Sequence, residues 1–567
     1  MIHTLPKNGK RAIALTTVFS ILSFSPGFAA QPDVGEVLGS LQNNQVVVPG
    51  KEAPTVKAPA KKDKKAPKDQ GPKFHVTSVR ITGQNVISEV KLAKLVKHAN
   101  NKDLTLSELN EIADHVTKFF HEQGYMVATA YVPPQSIKDG VAEIRVVVGK
   151  YGSIQVKNEA NFSTKKVNEF LSRLKTGDYV KKSLLERALL ILNDVSGLSA
   201  KATLSPGKEP GTTDVTVEVS DTQKIVFSAG LDNYGNSYLG YDRLSINGAW
   251  RNVSGFGDEI RISELDGGSG FNNLQVAYLL PLGTQGGVLD AEFAHVNYYL
   301  GGKFKSLAAT GYADVSSLYY ATPIVRSRKF NVYSRIGFVH KQLYDRINTL
   351  TDSEDSTLPY TNDKEDNILS IGLIGNKYDD KGSGVTSMSL GVERGQLSLN
   401  TQSILDYDNY YTHTNGRFYK IKFDAQRQKY FAKRLSYFAK VNIQHANKNL
   451  DSSEKIYLGG PNGVRAYPTG DASGDSGTIV TGEIRYDLPN PDLQFATFID
   501  NGRITLNEKP WTTTSNTTQL TGAGFGFIWN KAKDYYVRLD FAWRLTDPQY
   551  GDKATNGLVW LQSVKYF

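Results

Sequence analysis

Arg465 stands in an unusual setting, the stretch LGGPNGVRAYP at 458–468. Gly459, Gly460 and Gly463 permit positive φ, and Pro461 and Pro468 remove donors that a sheet ladder needs. The stretch is therefore a loop, and Val464, Ala466 and Tyr467 flank its one large cation. A guanidinium on a conformationally specified loop is suited to an ion pair, because its planar fork holds a carboxylate bidentately. A long surface turn with a solvated arginine is equally consistent with these eleven residues. Other chemistry is hard to find. None of the nine histidines has a metal-ligand spacing, and neither HExxH nor a Walker loop occurs. STKK at 163–166 and KTG at 175–177 imitate penicillin-binding motifs but stand across a single helix, too close to form that site. GAGFGF at 522–527 has glycines at period two, which suits a thin strand rather than a dinucleotide turn. The expectation is no catalytic residue, no metal and no cofactor.

The elements that would position Arg465 begin after a leader. Lys7, Lys10 and Arg11 precede an apolar run at 12–24 and small residues through Ala30, the pattern of a signal peptide over 1–29. Its apolar core is too short to span a bilayer. The 567-residue chain has no cysteine, so an exported protein of this kind must rely on burial and backbone pairing. The formal charge of +9 is local: +3 lies in 1–29 and +5 in 51–73, leaving +1 elsewhere, so no nucleic-acid surface is implied. Residues 30–45 form a short amphipathic helix, with Pro32 in its first turn and Val34, Leu38 and Leu41 on one side. The Lys/Pro/Ala-rich stretch at 46–73 reads as an extended, solvated linker.

Two α+β units follow, at 74–149 and 150–222. In the first, FHVTSVRITG at 74–83 reads as a strand, and Val90, Leu92, Leu95 and Val96 mark a helix. Thr105 and Glu108 make a capping box with Leu104 and Leu109 as a staple, and two strands follow at 126–132 and 141–148. The order β-α-α-β-β then recurs, with Ser183 and Glu186 as a second capping box.

From residue 224 to the end, no helical period is evident, only runs of about ten residues alternating with period two. Tyr419, Ile421, Phe423 and Ala425 oppose Lys420, Lys422, Asp424 and Gln426; Phe330, Val332, Ile336 and Phe338 oppose Asn331, Tyr333, Arg335 and Lys341. One face is apolar and ends in Tyr and Trp, while the other is charged. That combination fits lipid outside, water inside and a closed ring of backbone pairing. Short turns such as 488–491 alternate with long polar tracts at 345–367, 400–416 and 507–519, as in an outer-membrane barrel.

Val464-Arg465-Ala466-Tyr467, together with Phe498, Asp500 and Gly502 in FIDNG, resembles two motifs of the outer-membrane transporters of two-partner secretion, the TpsB family. The family's Val-Arg-Gly-Phe/Tyr has glycine where this chain has Ala466, which would strain a backbone needing positive φ there. The resemblance covers nearly the whole mature chain. It implies a transmembrane β-barrel of sixteen antiparallel strands, preceded by two α+β POTRA domains and an N-terminal plug helix with its linker. It implies that the loop folds into the barrel and that Arg465 meets Asp500 on the inner wall. It implies too a Gram-negative outer-membrane location with the POTRA domains in the periplasm. The partners expected are outer-membrane lipid and a secreted exoprotein of TpsA type, captured unfolded, exported through the barrel by a monomeric transporter, and drawn outward by folding. A solute porin has no use for two periplasmic modules, and a TonB-dependent receptor needs a globular plug. An outer-membrane protein assembly factor shares the fold and arginine loop, and stands as the alternative.

Overall fold

The computed structural model describes residues 32–42, 56–57, 71–137, 139–347, 360–511, 515–546 and 556–567. The signal peptide read at 1–29 and most of the linker lie outside them. Two compact units are present, one holding residues up to 52 with 223–567 and the other 53–222.

In the second unit the two α+β repeats share one topology. Val141–Val147 is central in the first, parallel to Ser78–Thr82 and antiparallel to Thr129–Tyr131. Thr212–Asp221 is central in the other, parallel to Lys150–Asn158 and antiparallel to Leu198–Pro206. Helix α2 (Glu89–Val96) and α3 (Leu106–Glu122) cover one sheet; α4 (Thr164–Leu171) and α5 (Lys182–Asp194) cover the other. The Thr105 box forms as its sequence dictates: Glu108 N donates to Thr105 Oγ1 at 3.2 Å and Thr105 N to Glu108 Oε2 at 2.7 Å. Such a cap is worth about 1 kcal/mol. The Ser183 box does not form. Helix α5 has its cap at Lys181, two residues earlier, and Lys182 N donates to Gly124 O at 2.9 Å, so a carbonyl of the preceding repeat takes the place of a capping side chain. Val90 also departs from expectation. It lies off the Leu92–Val96 stripe and is exposed. The linker is not wholly solvated either: Val56 and Lys57 pair in parallel with Ala202 and Thr203.

The first unit is a closed barrel of sixteen antiparallel strands running from Ile225–Asp232 to Gly557–Tyr566. The end strands close the ring between Ser228↔Tyr566 and Asp232↔Gln562. Period-two alternation sends Trp250, Ile336, Phe338, Ile371, Ile499 and Trp543 outward, each 46–59% exposed in the absence of lipid. A contiguous apolar belt of this kind requires a hydrocarbon surrounding. Asn331, Lys341, Lys364, Lys420 and Asp500 face inward and are buried.

Two polar tracts differ from the loops expected of them. Phe330–Ile347 and Tyr360–Tyr378 stay paired up to Ile347↔Tyr360, so 345–347 and 360–367 are hairpin arms. Beyond the bilayer both faces of a strand are wet, and hydropathy alternation stops marking it. The 400–416 tract contains a short helix, Gln402–Tyr407, running into a wider turn at Asp408–Thr412 that is organised by the Asp408 carboxylate.

Candidate functional site

Between Leu435–Ala446 and Ser476–Asp487 the chain leaves the wall and enters the lumen. The segment closes on itself through Val464 N to Leu458 O (2.7 Å), Gly460 N to Tyr467 O (2.9 Å) and Tyr467 N to Val464 O (3.1 Å). Of its three motif glycines only Gly460 has positive φ, at 110°. Gly459 and Gly463 serve close approach instead, since a Cβ would fall on Pro468 O in one and Leu458 O in the other.

This fold delivers Arg465, 2% exposed, to the wall. Its Nε donates to Asp500 Oδ2 at 2.8 Å and its Nη2 to Asp500 Oδ1 at 2.9 Å, a bidentate fork. Nη1 reaches Glu483 Oε1 at 2.8 Å and Asp540 Oδ2 at 3.2 Å. The guanidinium carbon lies 3.3 Å from the centre of the Phe498 ring, and Trp560 Nε1 donates to Arg465 O at 2.6 Å. Glu483 also accepts from Arg485 and Arg538, and Asp540 from Arg538. Three buried carboxylates thus face three arginines, and desolvation is offset by geometry rather than by water. Sequence reasoning reached Arg465 and Asp500 and missed Glu483, Asp540, Arg485, Arg538 and Trp560. The signal for Arg538 and Asp540 was present in their charged alternation along DYYVRLDFAWRL at 534–545.

The remaining motif residues make room. A Cβ on Gly502 would lie 2.7 Å from Leu458 Cδ2 and 3.1 Å from Val464 Cγ2. The GAGFGF glycines hollow the neighbouring strand. Gly522 admits Ala466, Gly524 admits the Phe498 ring and Gly526 admits the Asp540 carboxylate. Ala466 is not among the residues with positive φ, so alanine fits without strain, its Cβ seated against Gly522. Tyr467 is buried; its hydroxyl lies 2.9 Å from Thr546 Oγ1 and its ring beneath the Arg544 guanidinium.

A helix shares this lumen. Helix α1 (Val34–Gln42) is capped by Asp33, whose Oδ1 accepts from Glu36 N at 2.9 Å; Pro32 precedes the cap instead of occupying the first turn. Nine residues are too few for a stable helix in water. It forms because Val34, Val37 and Leu38 pack on Leu343, Ile347, Val296 and Ala313 of the inner wall. Each such side chain contributes roughly 1.5–3 kcal/mol when buried. Val34 N donates to Asp345 Oδ1 at 2.8 Å, placing a carboxylate at the positive end of the helix dipole. Lys364 Nζ then ties helix to loop, contacting Asp33 Oδ2 at 2.8 Å and Asp451 Oδ2 at 2.9 Å.

Two predictions arise here. A Cβ on Gly35 would collide with Ser452 Oγ and sit 2.5 Å from Ser453 N. Gly35→Val therefore lifts α1 from the loop, and single-channel recording should show more frequent openings than wild type. Burial, with Asp33 and Asp471 adding to it and Tyr238 and Lys303 opposing it, pushes Glu36 up from 4.5 to about 7. The docked helix binds this proton more tightly than a released one, so docking is strongest at low pH and weakens as pH rises from 4.5 through 7. Openings should be rarer at about pH 5.5 than at about pH 8, and Glu36→Gln should flatten that difference.

A closed barrel with lumenal helix and arginine-locked loop, carrying α+β POTRA-type units, defines an outer-membrane polypeptide transporter whose POTRA units lie in the periplasm. The family match makes this specific. Residues 211–528 match the family described as haemolysin secretion/activation protein ShlB/FhaC/HecB, and residues 74–149 match the ShlB-type POTRA domain. The chain belongs to the ShlB/FhaC/HecB family, the outer-membrane transporters of two-partner secretion. It is 27% identical over 563 residues to the heme/hemopexin transporter protein HuxB of Haemophilus influenzae (strain 86-028NP), covering 96% of this chain and 97% of that one. It is 20% identical over 461 residues to the outer membrane transporter CdiB of Dickeya dadantii (strain 3937), covering 79% of each. The solved structure of CdiB from Escherichia coli has the same fold, with a TM-score of 0.67, 18% identity and coverage of 90% and 92%. Transporters of this family work with secreted TpsA-type exoproteins.

Proposed function

We propose that the chain captures an unfolded exoprotein in the periplasm and passes it through the barrel lumen to the cell surface or medium, passively and without catalysis. The observation that carries this reading is how the lumen is filled. Helix α1 and the 447–475 loop are held to the wall by side-chain pairs and packing, while the wall itself closes through its own ladder. Both can leave without opening the barrel. An extended segment of the exoprotein adds to a sheet edge such as Lys150–Asn158, an outer strand of its sheet, beyond the part where Tyr151 is paired with Gly177 and Asp178. The transporter acts as a monomer in outer-membrane lipid, because a single chain encloses the whole lumen. The test is co-expression with a large secreted protein encoded beside it: that protein reaches the medium only when the transporter is present. Retention of its export in a deletion strain counts against the reading.

End-to-end similarity to a heme/hemopexin transporter favours a partner that acts on heme or hemopexin. Hemopexin binding by the exported protein checks this. An assembly factor for other barrels is the less favoured role, and deletion should leave the levels of other outer-membrane barrels unchanged.

A further inference from the structure

On the outer face of the barrel, two neighbouring strands carry cations at both edges of the apolar belt. The outward row of Gly384–Leu399 runs Thr386, Met388, Leu390, Val392, Arg394, Gln396, while Glu393 turns into the lumen and is buried. That of Gly416–Tyr430 begins at Arg417 and Tyr419 and reaches Arg427. In register, Thr386 pairs with Arg427 and Arg394 with Tyr419. The POTRA units precede the first strand, so odd strands start at the periplasmic edge, and Gly384–Leu399 is the ninth. Eight residues separate Thr386 from Arg394. That is about 27 Å of strand, or roughly 21 Å along the membrane normal at a tilt of about 40°, close to the ~25 Å height of a barrel's apolar band. Arg427 therefore stands at the periplasmic edge of the hydrocarbon and Arg394 at its outer edge.

At the periplasmic edge the protein answers its own charge. Arg427 Nη2 donates to Asp379 Oδ2 at 2.7 Å, its Nε donates to Tyr437 Oη at 2.9 Å, and Lys429 Nζ lies 3.7 Å from the same carboxylate. At the outer edge it does not. Arg394 is flanked in register by Leu369 and Tyr419, 43% and 47% exposed, with Val392 next to it on the belt side. Arg417 stands opposite Gln396, which places it diagonally across from Arg394 at a Cβ separation of about 7–8 Å. Both arginines are exposed, and among the described residues neither forms an ion pair. Glu365, an outward acid on Tyr360–Tyr378, stands opposite Ser398, four residues beyond Arg394. Two guanidinium groups side by side repel each other, and at the border of a hydrocarbon belt they need an anion that the chain does not supply.

We propose that Arg394 and Arg417 bind a phosphate of lipid A, the phosphorylated glycolipid anchor of lipopolysaccharide in the outer leaflet. A phosphate between the two guanidinium groups accepts hydrogen bonds from both forks and cancels their repulsion. Tyr419 adjoins both arginines on the same face, where its ring packs against the sugar or the first acyl carbons. Val392, Leu369 and Ile421 continue the apolar surface that the acyl chains cover. The asymmetry between the two edges selects the leaflet. Asp379 already neutralises the cations at the periplasmic edge, whereas the outer edge is left for a lipid that brings its own charge. The proposal uses the outer-membrane location of the barrel and is independent of how export proceeds.

The test titrates the full chain, purified in detergent, with lipid A bearing its phosphates and with dephosphorylated lipid A of the same acylation, and reads the bound lipid by native mass spectrometry. Wild type is compared with the Arg394→Gln/Arg417→Gln double variant and with Arg346→Gln, which removes an exposed outward arginine of Phe330–Ile347 away from the site. Heat-modifiable mobility checks that each barrel is folded. Wild type and Arg346→Gln should bind phosphorylated lipid A about tenfold more tightly than the dephosphorylated form, and the double variant should bind both forms equally and weakly. Neither inorganic phosphate nor phosphatidylglycerol at the same concentration should displace lipid A from wild type. Undiminished binding by the double variant, an equal loss in Arg346→Gln, equal affinity of wild type for the two lipids, or displacement by phosphatidylglycerol or inorganic phosphate overturns the proposal. Lipid binding needs no exoprotein, so its loss and the loss of export are separate results.

Discussion

Arg465→Ala should yield a barrel that inserts and folds yet exports its exoprotein at no more than about a tenth of the wild-type level. Folding survives because the ladder of sixteen strands does not include the loop. Export fails because Glu483, Asp500 and Asp540 are buried, with 4%, 0% and 2% exposure, and lose one of three compensating cations. Breaking a buried pair from one side costs about 3–5 kcal/mol, so a loop displaced during export no longer returns to its seat on the wall. The Phe498 ring and Trp560 indole lose their partner as well. Arg465→Lys should fall between, since one ammonium cannot grip Asp500 bidentately while reaching Glu483. Heat-modifiable mobility measures folding and the exoprotein in the medium measures export. Wild-type export by Arg465→Ala would remove the lock from the mechanism.

Deletion of residues 32–42 should raise single-channel conductance several-fold. The helix fills the inner wall between Val296, Ala313, Leu343 and Ile347, and its removal leaves that volume to water and ions. Loss of Asp33 leaves Lys364 with Asp451 and Ser452, so the loop stays tethered and the barrel closed. An unchanged conductance would show that α1 does not obstruct the pore.

The barrel was legible because lipid and lumen impose opposite chemistry on alternate residues, and strands such as Gly416–Tyr430 carry that pattern without interruption over 419–426. Strand ends were not. In Tyr360–Tyr378 the first residues are polar on both faces, which hid Lys364 and Asp366 in what reads as a loop. Arg465 is conspicuous among glycines and prolines, but its pairing with Asp500 came from a motif resemblance, not from spacing. Glu483 and Asp540 lie 18 and 75 residues from Arg465, and lumenal charges occur on many strands, so nothing local singles them out. The glycines of GAGFGF were readable as a thin strand, whereas what they make room for depends on partners across the lumen. Capping boxes show the same limit. Thr105 caps where it and Glu108 close the box directly after the strand Lys102–Leu104, while Ser183 is superseded by a carbonyl from the adjacent repeat.

The central claim, that another polypeptide threads the lumen, is tested most directly by site-specific photo-crosslinking during export. Arg335 faces the lumen against Tyr319, and the next residue, Ile336, is 47% exposed on the outer face. A photoreactive side chain at 335 should crosslink to the exoprotein in transit, and one at 336 should not. Equal crosslinking at both positions, or crosslinking at 336 alone, would contradict passage through the barrel.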